Sequence, residues 1–296
     1  MSSTESRLHR TYLYAPGDRP DIMRKALASG ADAVVLDLED AVAPERRPEA
    51  RSAAGDIIEE VAGRPGTPDI LVRLSRVPGG YSVEDLDTVV RPGLYGIRLP
   101  KAESADAITA VADRLRDAEC TGAWAGAGRV MIDITIESAL GATRVPQLLG
   151  SSDRVARVGL GTSDLLADIG AVGDDDLATL HVRSALVLQS RAAGVAPPID
   201  SVHVRLDDAD GLRASARRAR ALGFFGKSII HPRQIGIVHE VFTPSAEELE
   251  HARRIIETYE ASLREGSAVM SQDGDFIDAA IVQRARAALA IGEQDV

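Results

Sequence analysis

Cysteine is almost missing: Cys120 is the one thiol among 296 residues, which excludes an intrachain disulfide and points to a reducing compartment. No apolar run is long enough to span a bilayer, and the opening MSSTESRLHR has no apolar core of signal-peptide type. A soluble, cytoplasmic protein without a membrane partner is expected. Positive charge is short as well. The net charge of -11 opposes general binding to nucleic acid, although a local basic pocket and a small anionic substrate stay compatible with it. The histidines (His9, His181, His203, His231, His239 and His251) show no HxxxH or similar ligand spacing, so a zinc site is not expected. There is no GxSxG, no serine or cysteine marked out as a nucleophile, and no GxGxxG after the first strand-like run, where PGDRP opens a helix instead. Lysine is limited to Lys25, Lys101 and Lys227. All fall near strand ends or first helices, where an ammonium suits a phosphate unless so small a sample has clustered by chance.

What is present has a rhythm. Strand-like runs recur as TYLYAP, DAVVLDL, DILVRL, YGIRLP, RVMIDITI, RVARVGLG, IDSVHV and GFFGKSII, with helical stretches such as RPDIMRKALASG and GLRASARRARALG between them. A spacing of roughly 25 to 35 residues is what successive right-handed βαβ units produce, and eight of them close most naturally into a (β/α)8 TIM barrel. An open doubly wound sheet is the alternative. Residues 1–240 are assigned to the barrel. Residues 241–296 form a C-terminal extension, with one long capped helix, a hairpin signalled by Asp-Gly, and a final amphipathic helix. Such a tail needs a surface to cover, its own barrel's mouth or a neighbour's.

Charge collects where the strands end. Val34, Val35 and Leu36 read as buried strand, yet Asp37, Glu39 and Asp40 follow at once, where burying charge is costly. Arg73 lies among aliphatics, Lys101 closes the fourth strand, Glu137 the fifth, and Asp164 follows the sixth. In a barrel these ends share one mouth. Two converging carboxylates there, Glu137 and Asp164, suit Mg²⁺, which takes one or two carboxylates together with waters and substrate oxygens. Asp37, Glu39 and Asp40 could then orient the metal's waters. Each residue also has a plainer reading: Asp164 and Glu137 as helix caps, Arg73 as an ion-pair partner for the strand-two acids.

The motifs YAPGDRPDIMRKALASGADAVVLDLEDAV, VRLS, LPKAES, TIESALGA, GLGTSDLLADIG, GFFGKSIIHPRQI, FTPSAEELEHARRII and GDFIDAAIVQRAR occur in this order. The ordered set resembles the citrate lyase β-subunit-like proteins of the HpcH/HpaI aldolase/citrate lyase superfamily, which includes malyl-CoA and citramalyl-CoA lyases. The resemblance covers about residues 10 to 292. It implies a TIM-barrel carbon–carbon lyase, dependent on Mg²⁺ or Mn²⁺, that acts on a 3-hydroxyacyl-CoA to give an acyl-CoA and a 2-oxo acid and assembles as a homotrimer or hexamer; a malyl-CoA thioesterase using the same site, or a citryl-CoA lyase subunit of a multi-subunit complex, is the alternative. Glu137 and Asp164 match the metal carboxylates, Glu39 and Asp40 the acids behind the metal's waters, and Arg73 the arginine that stabilises the enolate. Arg19 and Lys25 match positions that meet the phosphates of coenzyme A. Asp278 matches a general acid or base reaching a neighbouring subunit's site. Leu74 and Ser75 replace the usual Val-Asn after the arginine, and Ala279 and Ala280 stand where a proline is common.

Overall fold

Seven of the strand-like runs become parallel strands of one curled sheet: β1 (Thr11–Pro16), β2 (Ala33–Asp37), β3 (Asp69–Arg73), β4 (Leu94–Leu99), β5 (Met131–Ile136), β6 (Val155–Leu160) and β7 (Lys227–Ile229). The sheet order is β6-β5-β4-β3-β2-β1-β7. The eighth run is reduced to Ile199 and Asp200, which bridge in parallel to Gly159 of β6 and Lys227 of β7 and so join the sheet's two edges. This is the expected (β/α)8 arrangement with one very short stave. The computed structural model describes residues 7–120, 129–172, 175–264, 270–272 and 275–293. Among these, no helix is long and apolar enough to cross a membrane.

The strands are buried on both faces. All residues of β2 are buried, as near-continuous aliphatic runs in parallel sheets require. Local chemistry ends the helices where the sequence indicates: Asp208 caps Ala209–Leu222 by accepting the Gly211 N–H, and Gly223 closes that helix in the left-handed region at φ 104°. The register places Asp37, Arg73, Arg98, Asp133 and Arg157 side by side on five consecutive strands. Their contacts with Tyr12, Tyr14 and Ser228 join strands that are not neighbours, so this charged row faces the barrel's interior.

The chain divides into two units, Met1–His239 and Glu240–Val296. The second holds the helix Ala246–Arg264, opened by a capping box: Ser245 Oγ accepts the Glu248 N–H at 3.1 Å and Glu248 Oε2 accepts the Ser245 N–H at 2.8 Å. Met270–Gln272 and Asp275–Ile277 then pair antiparallel, and the helix Ala279–Glu293 follows. The Asp-Gly turn signal at 273 and 274 lies outside the described residues.

Candidate active site

Asp37 ends β2 and turns the chain after it. Its Oδ1 and Oδ2 accept the N–H groups of Glu39 (3.0 Å) and Ala41 (3.2 Å). The same two oxygens accept Arg73 Nε at 2.7 Å and Nη2 at 2.6 Å, a fork-on-fork pair. Arg73 Nη1 donates to Asp40 at 3.1 Å and lies 3.3 Å from Glu39 Oε2. The plain reading of Arg73 as partner to the strand-two acids is therefore also its geometry. Ser75 keeps out of the cavity, donating its hydroxyl to the Leu38 carbonyl at 2.6 Å and fastening this loop.

Glu137 follows β5 directly. Lys101 adopts the left-handed backbone, φ 45°, and its N–H donates to Glu137 Oε1 at 2.6 Å. The Lys101 ammonium lies 2.8 Å from Asp164 Oδ1, so one residue touches both candidate metal carboxylates. Neither acid acts as the cap that its position suggested. Ser138 caps Ala139–Thr143, Gly161 occupies the N-cap of Thr162–Ile169, and Asp164 sits inside that helix's first turn. Gly161 is also needed for space, because a Cβ there would lie 2.3 Å from Glu137 Oε2.

A cavity of about 370 Å³ opens here, and Asp37, Asp40, Arg73, Glu137 and Asp164 all line it. Glu39 is buried behind them against Arg73. Arg19 and Lys25 do not line this cavity: Arg19 precedes the helix Pro20–Leu27, 3.4 Å from Asp21, and Lys25 is exposed on that helix. Asp278 belongs to the second unit, where its Oδ1 accepts the Ile281 N–H at 2.9 Å as the cap of the last helix.

The profile of the HpcH/HpaI aldolase/citrate lyase family matches residues 10–232. The chain belongs to this family. It is 32% identical over 282 residues to the citrate lyase subunit beta of Leuconostoc mesenteroides subsp. cremoris, covering 95% of this chain and 92% of that one. It is 31% identical over 304 residues to the L-malyl-CoA/beta-methylmalyl-CoA lyase of Rhodobacter capsulatus, covering 95% and 93%. The crystal structure of CitE from Mycobacterium tuberculosis in complex with magnesium, acetoacetate and coenzyme A superposes with a TM-score of 0.75 at 29% identity, covering 97% of this chain and 99% of that one. Like these HpcH/HpaI relatives, the chain is a carbon–carbon lyase.

The electrostatics of this family member's mouth leave it short of positive charge. Burial pushes Glu39 up to about 8 against the pull of Arg73, with Asp40 and Glu137 adding to the rise. Burial likewise lifts Glu137 to about 7, opposed by the Lys101 N–H and reinforced by Asp164. Arg73 is held above its ordinary value: burial would lower it, and the Asp37 pair outweighs burial. Glu39 Oε2 is buried without a hydrogen bond among the described residues, since its contact with Arg73 lacks hydrogen-bond geometry. A metal's water would satisfy that oxygen. No group of three or more His, Cys, Asp or Glu forms a metal cage among the described residues. Glu137 and Asp164 on the cavity wall are carboxylates that could hold a cation, a lining that fits Mg²⁺ completed by waters and substrate.

The cavity floor contains residues that strand-end reasoning passed over: Tyr14, Arg98, Thr135 and Ser228. Their signal was a lone polar residue inside an apolar strand, as in GIRLP and VMIDITI. In a closed barrel such a residue faces inward rather than toward the surrounding helices.

Proposed function

We propose that the chain cleaves, and in reverse forms, a 3-hydroxyacyl-CoA such as malyl-CoA, citramalyl-CoA or β-methylmalyl-CoA, giving an acyl-CoA and a 2-oxo acid, with Mg²⁺ or Mn²⁺ held by Glu137 and Asp164. The observation that carries this reading is the convergence of Glu137, Asp164 and Arg73 on one cavity at the strands' C-terminal ends. It is supported by the names of the relatives and by the magnesium and coenzyme A in the M. tuberculosis complex.

The bound cation supplies Lewis-acid polarisation of the substrate's hydroxyl and carboxylate oxygens. Glu39 and Asp40 accept hydrogen bonds from its waters. As water in the cavity's mouth takes the hydroxyl proton, the oxygen becomes the carbonyl of the 2-oxo acid, the carbon–carbon bond breaks, and its electron pair passes to the thioester as an enolate. Arg73 faces that charge with donors left over from Asp37 and Asp40, and its fixed pairing means that little reorganisation is needed when the charge develops. Asp278, contributed by a neighbouring copy in a trimer or hexamer, transfers the proton at the enolate carbon, while Arg19 and Lys25 meet the coenzyme A phosphates.

The test is a mass-spectrometric product assay with Mg²⁺ and racemic malyl-CoA, citramalyl-CoA and β-methylmalyl-CoA, repeated with EDTA and with Glu137→Ala. Metal-dependent release of acetyl-CoA or propionyl-CoA with a 2-oxo acid is expected. Free CoA with an intact hydroxy acid would make the protein a thioesterase instead. Mixing Asp278→Ala with Glu137→Ala protein tests the shared site: activity returns on verified exchange, and its failure to return counts against a site shared between chains.

A further inference from the structure

Two hydrogen bonds hold opposite ends of one peptide at the barrel's mouth. The peptide joins Pro100 to Lys101: its N–H donates to Glu137 Oε1 at 2.6 Å, and its carbonyl accepts the Tyr81 hydroxyl at 3.1 Å. The following peptide is held as well, the Ala102 N–H donating to the Thr135 carbonyl at 3.0 Å. Lys101 stands between these two fixed planes, which is how its left-handed φ of 45° is enforced.

Tyr81 reaches this peptide from a rigid mount. It ends a short hairpin in which Arg76 and Val77 pair antiparallel with Tyr81 and Gly80, and Pro78 followed by Gly79 at φ 83° suits a type II turn between them. The base of the hairpin is pinned twice. The Ser82 N–H donates to the Ser75 carbonyl at 3.0 Å, and the Ser75 N–H donates to the buried Asp85 at 2.9 Å. Burial pushes the Tyr81 phenol up against the pull of Arg76, with Glu39 and Glu137 adding to the rise, so the hydroxyl keeps its proton and donates.

A bond that merely fastened the hairpin could end on any carbonyl. Donation to this one draws electron density from the amide nitrogen and makes the N–H on the far side a better donor, the cooperative strengthening found in hydrogen-bond chains. The acceptor on that side is Glu137. With Oε1 taken by the amide, Oε2, on the side of Gly161, is the oxygen left for a cation. Tyr81 itself does not line the cavity, so its influence passes through the peptide. Resting on the reading of Glu137 as a metal carboxylate, we propose that Tyr81 is a positioning residue for the metal site: its hydroxyl orients and polarises the Pro100–Lys101 amide, whose N–H fixes Glu137 Oε1 and leaves Oε2 to the cation.

The sequence Pro-Lys occurs once in the chain. Full-length protein labelled with carbonyl-¹³C proline and ¹⁵N lysine therefore gives a single NMR cross-peak that links the Pro100 carbonyl to the Lys101 amide. Tyr81→Phe removes the hydroxyl and keeps the ring. In metal-free protein it moves the Pro100 carbon and the Lys101 proton to lower frequency together. By calorimetry it weakens Mg²⁺ binding about tenfold, the lower end of what partners behind a metal ligand contribute. Where Tyr81→Phe does not fold, 3-fluorotyrosine at position 81, which keeps the hydroxyl and makes it a stronger donor, takes its place; both nuclei then move to higher frequency and Mg²⁺ binds more tightly. A carbon that moves without the proton, or an unchanged affinity for Mg²⁺, would reduce Tyr81 to a structural fastening and overturn the assignment. The cross-peak needs neither metal nor substrate. Wild-type protein that binds no Mg²⁺ while the two nuclei still move together would sink the metal reading and leave Tyr81 positioning Glu137.

Discussion

Lys101 donates its main-chain N–H to Glu137 Oε1 over 2.6 Å from a left-handed backbone at φ 45°, the one non-glycine residue with positive φ among those described. A left-handed conformation costs an L-residue about 1–2 kcal/mol, and here it orients a carboxylate at the mouth of the barrel. Strain held at such a position is a signature of function when the surrounding structure enforces it. The same residue's ammonium reaches Asp164 at 2.8 Å, so it competes with any cation for that oxygen.

Replacing Lys101 separates these effects. Lys101→Gly keeps the N–H and relieves the strain, and is expected to be more stable than Lys101→Ala by about 1 kcal/mol in denaturant titration. Lys101→Met keeps the strain and removes the competing charge. Its affinity for Mg²⁺, measured by calorimetry, is expected to rise by roughly tenfold. Weaker binding would mean that the ammonium supports the metal site rather than opposing it.

The Arg73–Asp37 pair is expected to respond unequally to changes on its two sides. Asp37→Ala leaves a buried guanidinium facing only Glu39 and Asp40 and unfastens the turn held through Glu39 and Ala41. A loss of about 3–5 kcal/mol in stability is expected. Arg73→Lys retains the charge and folds, yet its point-like ammonium cannot fork onto both Asp37 oxygens. Turnover is expected to fall by on the order of 100-fold with a smaller change in melting temperature. Equal damage to stability and turnover would reduce Arg73 to a structural ion pair.

The barrel was legible because aliphatic runs and helices alternate along the chain, and even its shortest stave, Ile199 and Asp200, lies inside the run IDSVHV that the pattern marked. The acids at the mouth were legible because Asp37 ends a strand and Glu39, Asp40, Glu137 and Asp164 each follow one. Arg98 and Asp133 were not. A charged residue within a strand does not declare which residue faces it across a barrel, and that partner, 35 positions away for this pair, is fixed by register. The roles of Gly161 and of the Lys101 backbone were equally hidden, since both depend on a φ angle or a close approach rather than on residue type.

Acidity at Glu39 gives a pH prediction whose sign is opposite to that of an ordinary salt-bridged carboxylate. Its folded value, about 8, lies above its ordinary 4.5. Between those values the unfolded chain ionises while the native carboxyl keeps its proton, so stability falls as pH rises through that window. Glu137, lifted to about 7, adds a parallel loss that ends sooner. Glu39→Gln, uncharged and nearly isosteric, is expected to flatten the decline and to be roughly 1–3 kcal/mol more stable than wild type at pH 8 in the absence of metal. Urea titrations at pH 5, 6.5 and 8 measure it. A wild-type slope retained by the variant would show that Arg73 keeps Glu39 ionised throughout.

Gly161 provides the sharpest steric test of the site. Its φ of -106° is open to any residue, so glycine is not needed there for backbone freedom. A Cβ would nevertheless stand 2.3 Å from Glu137 Oε2 and 2.6 Å from Glu137 Cβ, separations that neither atom can tolerate. Gly161→Ala must therefore displace Glu137 from the Lys101 N–H or shift the start of the Thr162–Ile169 helix, at a cost of about 1–3 kcal/mol. Misplacing a catalytic group by about 1 Å can lower turnover on the order of 100-fold, and Mg²⁺ affinity should fall with it. Gly236→Ala, where an added Cβ meets nothing within 4 Å, is the control and is expected to be neutral or slightly stabilising. Unchanged Mg²⁺ binding in Gly161→Ala would mean that Glu137 reaches the cation from another position, and the carboxylate pair as described would no longer be the metal's donor set.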